Sequence, residues 1–195
     1  MTSVDQNGNS FKPIRIGDQE WMAENLNVDK FRNGDHIPQS KTNEEWIHSA
    51  QTEEPAWCYY RNDPTLGDEL GKLYNWYAVN DHRGLAQKGW HVPSVEEWNT
   101  LESYFAMDSD ESKLKSATRK KGKGNWAIEN SFPGLPGGYR GSGNFHLIGM
   151  WGFWWSSSKY KTGAWACNRN YRTGKVNSRY KEGKLAGFSV LFLLD

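Results

Sequence analysis

Cysteine is scarce: Cys58 and Cys167 are the only two in 195 residues. They allow one disulfide at most, and no Cys-x-x-Cys or Cys/His cluster exists to hold a structural zinc. Long apolar runs are missing, so no membrane insertion is expected. The opening stretch MTSVDQNGNSFKP has no apolar segment of the kind a secretory leader needs, so no signal peptide is expected within it. Charge of one sign is missing too: 24 Lys and Arg face 23 Asp and Glu, a net +1. A chain neutral overall, with no nucleic-acid-binding module, argues against a nucleic-acid partner. Catalytic signatures are also absent. His36, His48, His82, His91 and His146 are scattered, none forms HExxH, and no GxSxG elbow occurs. We therefore expect no enzyme here.

What the chain does have is rings and glycine. Aromatic residues make up 14%, including 11 Trp, and there are 20 Gly against seven Pro. Such a sequence is globular rather than disordered, and its length suits a single domain, residues 1–195, with a ring-rich core. Residues 4–21 read as one short hairpin, with Asn-Gly and Gly-Asp as turn signals. MAENLNV reads as an irregular crossing, and NEEWIHSAQ as one or two helical turns. Residues 53–72, with Pro55, Pro64 and Gly67, read as loop. Leu73, Trp76, Tyr77 and Asn80 fall at helical spacing. The clearest helix covers 94–106: Ser94 and Glu97 form a capping box, and Val95, Trp98, Leu101 and Phe105 line one face for the core. Residues 108–126 read as a charged surface excursion. Its KKGKG lacks the spacing and preceding strand of a phosphate loop.

From Phe132 onward glycines punctuate short strands. AWACNRNYR alternates, with Trp165, Cys167, Arg169 and Tyr171 on one side and Ala164, Ala166, Asn168 and Asn170 on the other. Thr173-Gly174 reads as a turn, KVNSRY as a returning strand and FSVLFLL as a buried strand. From Trp151 on, eight Lys and Arg face two acids, so this part carries +6 and the first 150 residues −5. A local basic surplus favours an acidic ligand, although a solvated hairpin face would look the same. Tyr gives large contact area at low entropy cost, Asn gives adaptable hydrogen bonds, and Arg gives planar paired donors. The candidate ligand-binding residues are Tyr160, Asn168, Asn170, Arg172, Lys175, Asn177, Arg179 and Tyr180. Trp154 and Trp155 of WGFWW are either a stacking platform or core.

IRIGDQEWMAENLNV, GKLYNWYAVND, GLAQKGWHVPSVEEWNTLESYF, GLPGGYR, WGFWWSSS and GFSV follow one another in an order that resembles the Fibrobacter succinogenes major paralogous domain, over roughly residues 4–195. The resemblance implies an α+β, C-type-lectin-like fold of the formylglycine-generating-enzyme-like variant: two helices, a twisted antiparallel sheet and long loops. It implies a cell-surface, secreted or virion-associated protein that binds a protein or glycan in adhesion or host attachment. Some relatives are variable proteins of diversity-generating retroelements, whose rewritten segment runs from near WWSS to around GFSV. Here that segment is 154–186, and Asn168, Asn170 and Asn177 are compatible with unmutated template codons. The alternative is a structural or accessory domain of a bacterial surface protein without a diversified site. Many C-type lectins bind calcium. No cofactor is expected here, though a structural calcium at Asp63, Asp68 and Glu69 stays open; the Glu-Pro-Asn tripeptide is absent. Where such domains often end GFSVRC, this chain reads GFSVLFLLD. That leaves Cys167 as the only late cysteine, and a Cys58–Cys167 bridge stays open. TRKKGKGNW is more basic than the family pattern.

Overall fold

Turn residues split the first 22 positions into two hairpins, not one. β1 (Ser3–Val4) pairs with β2 (Ser10–Phe11), and β3 (Pro13–Ile16) with β4 (Gln19–Met22). Asp5 Oδ1 accepts from the N–H groups of Asn7 and Asn9, both at 2.9 Å, and so closes the first turn. The structure, a computed structural model, describes residues 3–107, 117–119, 126–128 and 132–195.

Residues 42–80 hold more regular structure than their composition suggests. Thr42 caps α1 (Asn43–Gln51): its hydroxyl accepts from Glu45 N–H at 3.1 Å, and Glu45 Oε2 accepts from Thr42 N–H at 3.2 Å. The supposed loop 53–72 contains β5 (Trp57–Cys58), a 3-10 turn and α2 (Pro64–Leu70). Pro64 favours this helix because it sits in the first turn, where its missing N–H costs nothing, and Asp63 caps Thr65 N–H at 2.9 Å. Conversely, the helix expected at 72–80 shrinks. Leu73 and Tyr74 form β6 (Leu73–Tyr74) against β5, so only α3 (Trp76–Val79) remains, capped by Asn75. After β7 (Trp90–His91), α4 (Val95–Met107) follows with its capping box formed: Ser94 N–H donates to Glu97 Oε2 at 2.7 Å.

β8 (Ala117–Arg119) pairs with β9 (Trp126–Ile128); KKGKG lies outside the described residues. β10 (Tyr139–Arg140) pairs with β11 (Phe145–His146). The longest strands, β12 (Trp151–Tyr160), β13 (Gly163–Asn170) and β14 (Val176–Glu182), form an antiparallel sheet in that order. The expected buried strand at 188–194 is not one strand. Phe188 bridges Tyr74, Ser189 bridges Trp154, and only β15 (Leu193–Leu194) joins a sheet, between β4 and β7. Ala186 to Leu193 are all buried because the chain passes between layers.

The β12–β14 sheet is covered on both faces. Trp154, Cys167 and Val176 pack with Trp98, Leu101 and Phe105 of α4 and with Trp21 and Phe132. Phe153, Trp155, Ala164 and Ala166 pack with Trp76, Trp90 and Phe188. Ring centroids step from Trp21 to Trp98 at 4.8 Å and on to Trp154 at 6.1 Å. Each such buried ring holds the fold strongly, since truncating a buried Trp costs about 3–5 kcal/mol. Cys58 belongs to a third cluster, with Trp46, Tyr60 and Leu73. Both cysteines are therefore free and buried in separate clusters, and the open Cys58–Cys167 pairing does not form. The fold is mixed helix and sheet, with several small antiparallel sheets. Among the described residues there are four α-helical segments, not two, and no helix long and apolar enough to cross a membrane.

Candidate functional site: an aromatic and asparagine face

The open end of the β12–β14 sheet gathers most of the candidates. Trp151 pairs with Asn170, Phe153 with Asn168, and Asn168 with Asn177, so Phe153, Asn168 and Asn177 share one rung. Between the Ala166↔Tyr180 and Asn168↔Asn177 pairs, β14 carries one extra residue. This bulge re-aims the strand. Ser178 and Arg179 turn to α4: Ser178 Oγ lies 2.6 Å from Asn99 Oδ1 and also meets Glu102 Oε2, and Arg179 Nε donates to Asn99 at 3.3 Å. Tyr180 packs on the opposite side, against Phe153 and Phe188.

A row of rings runs across that opposite side. Phe153 lies 6.0 Å from Trp151, 4.9 Å from Tyr139 and 5.7 Å from Tyr180, and Tyr139 stacks on His146 at 5.0 Å. Phe153 is buried; Tyr139, Trp151 and Tyr180 are half-buried; His146 and neighbouring Met150 are exposed. The Tyr180 hydroxyl donates to Glu182 Oε2 at 3.1 Å, and burial, aided by Glu182, pushes its pKa up to about 12. It is a neutral donor and acceptor at ordinary pH.

Backbone contacts hold Tyr139 over the sheet. A Cβ on Gly152 would sit 2.1 Å from the Trp154 ring, and one on Gly138, at φ +64°, 2.3 Å from His146 O. Only glycine allows their Gly138↔Gly152 bridge. Next to Tyr139, Arg140 is fully buried between Trp46 and Phe145, 4.7 and 5.0 Å from their rings. Its guanidinium donates to Thr42 O at 2.9 Å and Asn43 Oδ1 at 3.0 Å.

The eight candidates do not all converge. Asn168, Asn177 and Tyr180 meet on the ring face, although Asn168 is only 6% exposed. Asn170 ends β13, and its Oδ1 accepts from Arg172 and Thr173 N–H at 2.9 and 3.0 Å, shaping the turn that carries exposed Arg172 and Lys175. Arg179 lies at the α4 edge. Tyr160 sits at the far end, against Trp165 at 4.7 Å. Seven residues of strand, about 23 Å, separate its partner Gly163 from Asn170. Trp154 and Trp155 are fully buried, so neither is a stacking platform. The residues missed are Tyr139, His146 and Trp151. Alternation with Phe153 and Trp155 in WGFWW was a signal for Trp151; no local pattern announces the other two.

The family model of the Fibrobacter succinogenes major domain matches residues 14–190, nearly the whole chain. The chain belongs to this family. No curated protein and no solved structure matches it.

All eight candidates, together with Tyr139, His146 and Trp151, fall inside the span shared with the Fibrobacter succinogenes major domain. Asp63, an open calcium candidate, caps α2, while Asp68 and Glu69 line a cavity of about 590 Å³ with Asp5 and Glu24. Among the described residues no group of three or more His, Cys, Asp or Glu could hold a metal ion. Burial, only partly offset by Arg140, pushes the Cys58 thiol up to about 11, and burial raises Cys167 well above its ordinary value. Neither is a reactive thiolate. The ring face offers flat apolar contact, amides and hydroxyls, which suits recognition.

Proposed function

We propose that this domain is a non-catalytic ligand-binding module acting in adhesion or attachment at a cell surface or virion. Its contact face is Tyr139, Trp151, Asn177 and Tyr180, with Asn168 beneath and Arg172 and Lys175 at the rim. The observation that carries this reading is the row of half-exposed rings and amides on one side of a sheet whose other side is clamped by α4. A rigid base under amphipathic side chains keeps the entropy cost of binding low. The ligand is a protein or glycan, with some preference for acidic groups from the rim. We further read the fold as C-type-lectin-like, supported by the pairing of early β4 with late β15 around long connecting segments. We read the exposed positions within 154–186 as diversified by a retroelement.

A second reading, an accessory domain of a surface protein with no diversified site, draws on Asn170 and Asn177. Their side-chain oxygens already serve backbone N–H groups, Asn177 accepting from Arg179 at 3.1 Å. One experiment separates the two. Wild type and the Trp151→Ala/Tyr180→Ala variant are applied to an array of glycans and surface proteins. Loss of two half-exposed anchor rings is expected to cost about 2 kcal/mol or more, roughly thirtyfold in affinity. Equal binding by a folded variant favours the accessory reading.

A further inference from the structure

Four lysines crowd the other end of the sheet. Lys159 lies in β12, Lys161 in the turn to β13, Lys181 in β14 and Lys184 just beyond it. Each ammonium stands over an aromatic ring. Lys159 and Lys184 lie 5.7 and 5.4 Å from the Trp76 ring, and Lys184 also 5.4 Å from Tyr77. Lys181 and Lys161 lie 4.4 and 5.6 Å from the Tyr160 ring, and Lys181 also 5.2 Å from Trp165. Two cations thus share one ring, twice. The members of each pair are no further apart than about one Debye length at moderate salt, on the order of 10 Å.

Like charges this close repel, and the rings offset only part of that cost. Among the described residues, none of the four lysines forms an ion pair with a carboxylate. Glu182, the acid on β14, is engaged by the Tyr180 hydroxyl and by Gly183 N–H. Beside the cluster runs an open groove of about 650 Å³, lined by Tyr77, Lys161, Thr162, Lys184 and Leu185 and carrying one acid, Glu53. Four lysines against Glu182 and Glu53 leave this end with a net positive charge next to a seat for a chain-like molecule.

We propose that this lysine and aromatic end is a second binding site, separate from the asparagine face, for a sulfated or carboxylated polysaccharide. A nucleic acid would need free ring faces for its bases to stack on. Here ammoniums stand over Trp76, Tyr77, Tyr160 and Trp165. The cluster also contains no arginine, the residue that grips phosphate with two parallel donors. A membrane surface would call for exposed apolar side chains to insert. Among the described residues, the exposed large apolar ones, Val4, Tyr104, Met107, Met150 and Leu194, all lie elsewhere. Lysines on a groove suit sulfate or carboxylate groups spaced along a flexible saccharide.

The test measures binding of heparin, as the sulfated probe, at low and at physiological salt. A desulfated, N-acetylated heparin, a single-stranded homopolymer DNA and phosphatidylserine vesicles serve as comparators. The wild type is expected to bind heparin in preference to all three, and to lose affinity as salt rises. The Lys159→Gln/Lys161→Gln/Lys181→Gln/Lys184→Gln variant is expected to bind at least tenfold more weakly with an unchanged melting temperature. Should that variant fail to fold, Lys161→Gln/Lys181→Gln, at two exposed positions, is expected to lose at least threefold. The Trp151→Ala/Tyr180→Ala variant keeps its heparin binding, so this site and the asparagine face fail independently. Undiminished binding by a folded lysine variant, no binding by the wild type, or a preference for DNA or vesicles overturns the proposal.

Discussion

Asn25 ties together three parts of the chain that are far apart in sequence. Its Nδ2 donates to Leu70 O at 2.9 Å and Leu135 O at 3.1 Å; its Oδ1 accepts from Leu135 N–H at 3.1 Å and Trp154 Nε1 at 2.9 Å. Removing it strands several buried polar groups at once, and each unmet group is costly. Asn25→Ala is expected to lower unfolding free energy by about 3 kcal/mol in urea titration, whereas Asn33→Ala, in an exposed turn, changes it by less than about 0.5 kcal/mol. Nothing in MAENLNV announces this role, because its partners come from residues 45 to 129 positions away. Trp98, Leu101 and Phe105 were legible for the opposite reason: helical spacing alone places them on one buried face. Asn168, Asn177 and Tyr180 could be named from residue type. Tyr139 and His146 could not, since the Gly138↔Gly152 bridge brings Tyr139 beside Phe153 and the β10–β11 pairing sets His146 against Tyr139.

Among the elements, α4 shows how a local signal and a distant one combine. Its capping box was readable. The partner of that box was not: His91 in β7 lies 2.9 Å from Glu97 Oε1 through Nε2 and 2.8 Å from Asp195 Oδ1 through Nδ1. Burial opposes the charged imidazole, but the hydrogen bonds and charges of Asp195 and Glu97 outweigh it, and the His91 pKa rises above 6.5. Burial likewise opposes charged Glu97, yet Ser94 and His91 bring its pKa below 4.5. The His91 contribution is full below 6.5 and is lost as pH climbs through the raised value. The Glu97 contribution is full above 4.5 and is lost as pH falls through the lowered value. The stability difference between wild type and His91→Asn is therefore expected to be largest between about pH 4.5 and 6.5, narrowing as pH climbs through the raised His91 value and again toward strong acid; a difference flat with pH contradicts the pairing. α1 carried an equally plain signal in Thr42 and Glu45, obscured by its polar surroundings. The segment 188–194 misled in the other direction, because a chain passing between layers is as apolar as a central strand without making a ladder.

For the whole molecule, one sheet organises both proposed binding surfaces. The +6 of residues 151–195 looked like a single basic patch in sequence. The three strands β12–β14 draw it out so that Arg172 and Lys175, in the β13–β14 turn, rim the asparagine face while Lys159, Lys161, Lys181 and Lys184 gather at the other end. That division depends on strand register and a bulge, which residue counts do not reveal. The family and the α+β class were legible from long ordered motifs. The packing of α4 on one side of the sheet needed the three-dimensional arrangement. On the proposed reading, the ring face is a diversified binding surface on a fixed base. Sequencing the DNA that flanks this gene tests it most directly. A near-copy of the codons for residues 154–190 is expected beside a reverse-transcriptase gene, differing almost only at adenines. The differing codons are predicted to fall at exposed positions such as Arg172, Lys175, Asn177 and half-buried Tyr180, sparing buried Trp154, Trp155, Cys167 and Arg169. A flank with no such copy, or one whose differences fall on the buried positions, contradicts it.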